Sequence, residues 1–236
     1  MGHFIFTILR IVGIIFLVET QSIVLADWTV TKRVDAMTDE VRKSAIIKNK
    51  LGHTFSIYRI SPDGEVWGNF ALAEGTFDQV DWKKPPIYRI DKHKPNDLES
   101  KKRLQEMGLG IHAYEWEPKW VNFLMWHGKE DEGLSDSLVQ LMEGKRVVFR
   151  YYLGTGGFKD TSFPLKGSSS AIAEAIGISA KVDHSIIQKR KNFNHTYTAE
   201  YNQCKNNMST FRECVLKISN CRKKSQQDIE KFKSCI

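Results

Sequence analysis

Cysteine is missing from the first 203 residues of this 236-residue chain. A surplus of either charge is missing from the first 180, which carry 23 Lys+Arg and 23 Asp+Glu. The first absence excludes disulfides and thiolate metal sites from that part of the molecule, and the second leaves it electrostatically balanced. Gly-x-Ser-x-Gly, Ser-x-x-Lys and His-Glu-x-x-His are absent as well, so the common nucleophile and zinc signatures do not occur. No Cys-x-x-Cys pair exists, which argues against zinc as the use of the four cysteines the chain does have. After residue 26 no apolar run reaches the roughly 20 residues that a bilayer span needs. No catalytic, cofactor-binding or metal-binding residue is assigned on these grounds, and no cofactor is expected.

What is present begins with an export segment. Residues 1–26, MGHFIFTILRIVGIIFLVETQSIVLA, hold an apolar run from Ile11 to Val18 behind a lone Arg10 and end in Val24-Leu25-Ala26. That is the layout of a signal peptide cleaved after Ala26, with an uncleaved anchor as the alternative. Either form places the mature chain outside the cytoplasm, in the periplasm or the medium.

Residues 146–165, RVVFRYYLGTGGFKDTSFPL, contain a glycine cluster that a phosphate-binding loop would also need. Such a loop requires a helix after it, and here β-branched and aromatic residues stand on both sides of Gly154-Thr155-Gly156-Gly157. No Lys-Ser or Lys-Thr pair closes a Walker pattern, so the stretch reads as a hairpin turn. The same reasoning gives a hairpin from Thr54–Arg59 through Ser61-Pro62-Asp63-Gly64 to Val66–Leu72, and strands at Trp28–Val30, Ser44–Lys48 and Val121–Trp126. Helices are expected at 97–107 with a stop at Gly108, at 135–142 with Leu138, Leu141 and Met142 on one face, and at 168–176 with a serine cap. The expectation is an α+β chain. A sheet-rich, antiparallel β-sandwich-like body spans 27–180, and a helical hairpin tail spans 181–236.

Trp28-Thr29-Val30, Asp35-Ala36-Met37-Thr38-Asp39-Glu40, Tyr88-Arg89-Ile90-Asp91, Leu141-Met142-Glu143-Gly144-Lys145 and Phe163-Pro164-Leu165-Lys166-Gly167 with Ala171-Ile172 follow one another in the body. In this layout residues 27–178 resemble small secreted bacterial β-domain proteins of the invasion-associated locus B family and the periplasmic accessory proteins of type VI secretion. The resemblance implies a periplasmic β-sandwich without enzymatic activity. The body departs from the pattern in lacking cysteine, and the tail has no part in the likeness.

His93 with Asp97 and His127 with Asp131 offer metal-ligand types, but each pair is two ligands short of a closed site, which favours solvated loops. The acidic run Glu130-Asp131-Glu132 suits a hard cation in chemistry and a solvated face in length. Trp67, Trp82, Trp116, Trp120 and Trp126 either line a ligand groove or belong to core and sheet faces. The favoured function is an exported non-enzymatic binding or assembly protein of the cell envelope. The rival is a periplasmic hydrolase assembled only in the fold, using His112 or His127 with a nearby carboxylate.

Residues 181–236 carry 12 Lys+Arg against 5 Asp+Glu, the whole +7 of the chain, and all four cysteines. Cys204, Met208, Phe211, Val215 and Ile218 recur at helical spacing, and Ile229, Phe232 and Ile236 continue a second stripe. Cys214 and Cys221 stand about 10.5 Å apart on an unbroken helix, too far to bridge, so pairing them requires a turn near Ser219-Asn220. That turn would level Cys204 with Cys235. The favoured connectivity is therefore nested, Cys204–Cys235 and Cys214–Cys221, over the local alternative of Cys204–Cys214 with Cys221–Cys235. It presents Arg222, Lys223 and Lys224 at the hairpin tip to an acidic protein or an anionic membrane. Nucleic acid is the weakest partner for an exported chain.

Overall fold

The computed structural model describes residues 27–60, 64–106, 112–128, 133–205 and 211–236, with the side chains of 104, 105, 204, 205, 211 and 212 outside the described set. The expected signal segment 1–26, the turn residues 61–63, Gly108, the acidic run at 130–132 with Asp131, Met208 and the Cys204 side chain therefore lie outside the described residues.

Among the described residues ten strands are formed: β1 Thr29–Val34, β2 Val41–Lys48, β3 Thr54–Arg59, β4 Val66–Ala71, β5 Ile87–Ile90, β6 Asn96–Asp97, β7 Tyr114–Glu117, β8 Trp120–Trp126, β9 Arg146–Tyr152 and β10 Phe158–Pro164. They make two antiparallel sheets, β1-β2-β3-β4-β8-β7 and β10-β9-β5-β6. Period-two alternation sends Phe55, Phe70 and Phe123 of the large sheet and Tyr88, Phe149 and Phe163 of the small sheet into a shared interior, all 0 or 1% exposed. Phe70 stacks on Phe149 at 4.7 Å, Phe55 meets it edge-on at 5.0 Å, and Tyr88 stacks on Phe123 at 5.2 Å. These rings join the sheets face to face, each pair adding about 0.5–1.5 kcal/mol beyond its buried area. Gly68 makes room for the layer, since a Cβ there would stand 2.8 Å from the Phe123 ring.

The Gly154–Gly157 stretch is the β9–β10 hairpin turn. The Leu153 amide donates to the Gly157 carbonyl at 3.2 Å, and Gly156 and Gly157 take φ 97° and 82°. A Cβ at either glycine would meet nothing within 4 Å, so the requirement is conformational rather than steric.

The helices among the described residues are, in chain order, α1 Glu99–Glu106, α2 Asp136–Glu143, α3 Ser168–Ile176, α4 His184–Lys205, α5 Phe211–Ser225 and α6 Ile229–Cys235. In α2 the Ser135 hydroxyl caps by accepting from the Leu138 amide at 3.2 Å, and Leu138, Leu141 and Met142 are buried as their spacing predicts. The serine cap expected for α3 is not formed. Gly167 holds the N-cap in the left-handed region, and the buried Ser168 hydroxyl lies 2.6 and 2.7 Å from the carbonyls of Leu141 and Leu165, fastening α3 to α2.

The tail is a three-helix unit in which α5 and α6 form the helical hairpin and α4 packs against it. Phe193 of α4, Ile218 and Cys221 of α5 and Phe232 of α6 form its own small core, with Phe193 and Phe232 rings 5.3 Å apart. The expected turn at Ser219-Asn220 does not occur, because α5 runs unbroken to Ser225 and the chain reverses at Gln226 and Gln227, both at positive φ. Arg222, Lys223 and Lys224 occupy the last helical turn, where cations are favoured by the helix dipole. The nested pairing is overturned with it: Cys221 bridges Cys235, with Cα atoms 5.6 Å apart. Cys214 is also disulfide-bonded.

Candidate functional site

Beyond Ser44, the last residue of β2 paired to β3, the β1–β2 hairpin continues as a two-stranded ribbon. Its rungs are Lys32 opposite Lys43, Arg33 opposite Arg42 and Val34 opposite Val41. The pleat puts the lysines on the side of the sheet that faces α3, where Lys43 reaches Glu174 at 3.8 Å, and the arginines on the outer face, where Arg42 lies 5.8 Å from the Tyr58 ring centroid. The tip is closed by Asp35, whose carboxylate accepts from the amides of Met37 (2.8 Å) and Thr38 (3.0 Å) and is thereby held below the usual carboxylate range. Val34, Met37 and Val41 are 58, 93 and 57% exposed. The ribbon thus couples four cations with three uncovered apolar side chains.

The basic cluster expected at a hairpin tip is differently arranged. Arg222 is drawn over the Tyr197 ring at 4.5 Å, packing against the tail core, while Lys223 and Lys224 are exposed. His112 and His127 do reach carboxylates, Glu115 at 3.3 Å and Glu65 at 3.4 Å, but both histidines are exposed and neither ring lines a cavity among the described residues, although Glu115 borders the one beside Trp82 and Trp116. His93 shares a cavity of about 430 Å³ with His184, Asp91, Asp136 and Glu143, not with Asp97. Among the described residues no group of three His, Cys, Asp or Glu is placed to hold a metal. The tryptophans do not converge on one groove. Trp67 is buried on the outer sheet face with Ala113 and Leu124, Trp82 and Trp116 share a shallow cavity, and Trp126 lines another.

The Trp126 cavity, about 370 Å³, lies at the seam between body and tail with Leu134, Ile178, Val182, Ile186 and Ile187. The seam is fastened by Arg190 of α4, which donates to the Leu134 carbonyl and, at 2.7 Å, to Asp136, and by His184 paired to Glu143 at 2.7 Å. Neither contact is visible in the sequence, because their partners are 41 to 56 residues apart.

A buried polar chain crosses the sandwich edge. His53, 5% exposed, accepts the Ala73 amide on Nδ1 at 2.9 Å, which leaves the proton on Nε2, 3.4 Å from the Tyr151 hydroxyl. Burial lowers the His53 pKa, and burial together with the nearby Asp78 carboxylate pushes Tyr151 up to about 12. Asp78 is in turn ion-paired to Lys159 at 2.7 Å. The chain fixes the loop after β4 to both sheets and does not open on a cavity among those described.

No protein family, no curated protein and no solved structure matches the chain.

Proposed function

We propose that this chain is an exported, non-enzymatic binding or assembly protein of the cell envelope that engages its partner through the β1–β2 ribbon. The observation that carries the reading is a main chain kept in regular pairing while its side chains stay in water. A two-stranded ribbon is marginal on its own in water. Here it displays Val34, Met37 and Val41, whose burial would return about 25 cal/mol for each Å² of apolar surface covered. The disulfide between Cys221 and Cys235 supports an oxidising compartment. The resemblance of residues 27–178 to secreted bacterial β-domain proteins points the same way. A photo-crosslinking residue in place of Met37 should give a discrete adduct with an envelope protein in intact cells, whereas one in place of the equally apolar, exposed Leu51 should not. Equal labelling at both positions, or none at Met37, refutes the reading.

A further inference from the structure

We infer that the ribbon's open edge takes an acidic, extended segment of a partner protein, added to β1 as a further strand. This rests on the binding reading above and specifies the partner. β1 ends the order of the large sheet, so among the described residues the backbone groups on its outer side have no strand neighbour. Such an edge is a template for strand addition.

The charges select what can be added. Two consecutive rungs, Lys32 with Lys43 and Arg33 with Arg42, set like charges directly opposite each other, which destabilises a sheet. Relief within the chain is slight: Glu174 stands 3.8 Å from Lys43, the Tyr58 ring takes Arg42, and the nearby Asp35 carboxylate is already engaged by two amides. Cations on an edge strand commonly serve to repel stray strands. That role is filled by Lys32 and Arg33 alone; Lys43 and Arg42, one strand inward, add repulsion without guarding the edge. An anionic occupant makes use of all four. Because successive side chains face opposite sides, a strand laid along β1 with two adjacent acidic residues would present one to Lys32 and Lys43 and the other to Arg33 and Arg42. A lipid surface fits less well, since Asp35, Asp39 and Glu40 flank Met37 at the tip and would approach the anionic headgroups first.

The test uses the full mature chain and a short fluorescent peptide of repeating Val-Asp-Glu-Thr. Lys32→Glu combined with Arg42→Glu turns both rungs into opposite-charge pairs. The variant should melt at a higher temperature than the parent and bind the peptide at least tenfold more weakly. Lys223→Ser with Lys224→Ser should leave binding unchanged, and a peptide with proline in place of threonine, unable to form a strand, should bind at least tenfold more weakly to the parent. Unaltered peptide binding by the ribbon variant, equal loss in the tail variant, or equal affinity for the proline peptide overturns the proposal. So does ribbon-dependent binding to phosphatidylglycerol vesicles without peptide binding. Should the double variant not fold, Arg33→Thr carries the same binding comparison. Crosslinking at Met37 with peptide binding insensitive to the ribbon variant would leave the binding reading standing and remove the acidic strand alone; peptide binding without crosslinks would do the reverse.

Discussion

His53 gives the molecule a defined response to acid. In the unfolded chain its imidazole takes a proton near pH 6.5. In the folded chain burial opposes the charge, and Nδ1 must keep its lone pair for the Ala73 amide. The unfolded state therefore binds the proton first. The contribution of His53 to stability is complete above about pH 6.5 and is lost as pH falls from there toward the lowered folded value. The depressed carboxylates of Asp35, Asp160, Asp183 and Asp228 titrate below the ordinary carboxylate range and act at lower pH. Urea midpoints at pH 7.5 and 5.5 should show the parent losing stability between the two. His53→Gln should be weaker at pH 7.5, by about 1–3 kcal/mol for the disturbed buried hydrogen bonds, and flatter between the two values. A parent with no loss over this range refutes the assignment. Nothing around His53 in the sequence announces this role, because both groups it serves, Ala73 and Tyr151, arrive by tertiary folding. Gly156 and Gly157 were legible for the opposite reason: the requirement for positive φ is local, and so is its residue signature.

Among the elements, α2 and strands such as β3 and β9 follow their periodicity, while α4 does not declare itself. Its Ile187 is buried at the body seam and its Phe193, six residues on, in the tail core. Six residues turn a helix by about 600°, so the two lie on different faces and no single stripe results. Arg190, between them, looks like a break in the pattern although its side chain is only 15% exposed. The α5–α6 turn was misplaced for a related reason. A run of three cations suggests a solvated turn, yet it suits the end of a helix equally well, and the reversal falls where Asp228 caps α6 by accepting from the Lys231 amide. The Cys221–Cys235 bridge closes a loop of separation 14 across that turn. Replacing Cys221 by Ser should remove about 3 kcal/mol from the tail unit. Hydrogen exchange should rise in α5 and α6 while the amides of β3, β4 and β9 keep their protection; exchange rising equally in the body strands would show that the two cores unfold as one.

At the scale of the whole molecule, two hydrophobic cores are joined by one helix and a short set of polar contacts. Arg190→Met keeps an unbranched apolar stem of similar reach to the arginine's methylenes while deleting the bonds to the Leu134 carbonyl and Asp136. It should cost about 2 kcal/mol at the seam, the scale of charge-assisted hydrogen bonds, and speed exchange in the first turns of α4. Unchanged exchange there would assign the seam to the apolar side chains alone. Charge and cysteine content set residues 181–236 apart in the sequence; the contacts that fasten α4 to the body were not readable there, since they depend on which loop meets which helix face. That fastening has an electrical consequence. Residues 27–180 carry equal numbers of both signs, so the +7 resides wholly in residues 181–236, and α4 holds that charge in a set orientation to the body. The protein is thus a permanent dipole. Near an anionic surface it experiences a torque as well as an attraction, and it turns its helical unit forward within about 8 Å of contact at physiological ionic strength.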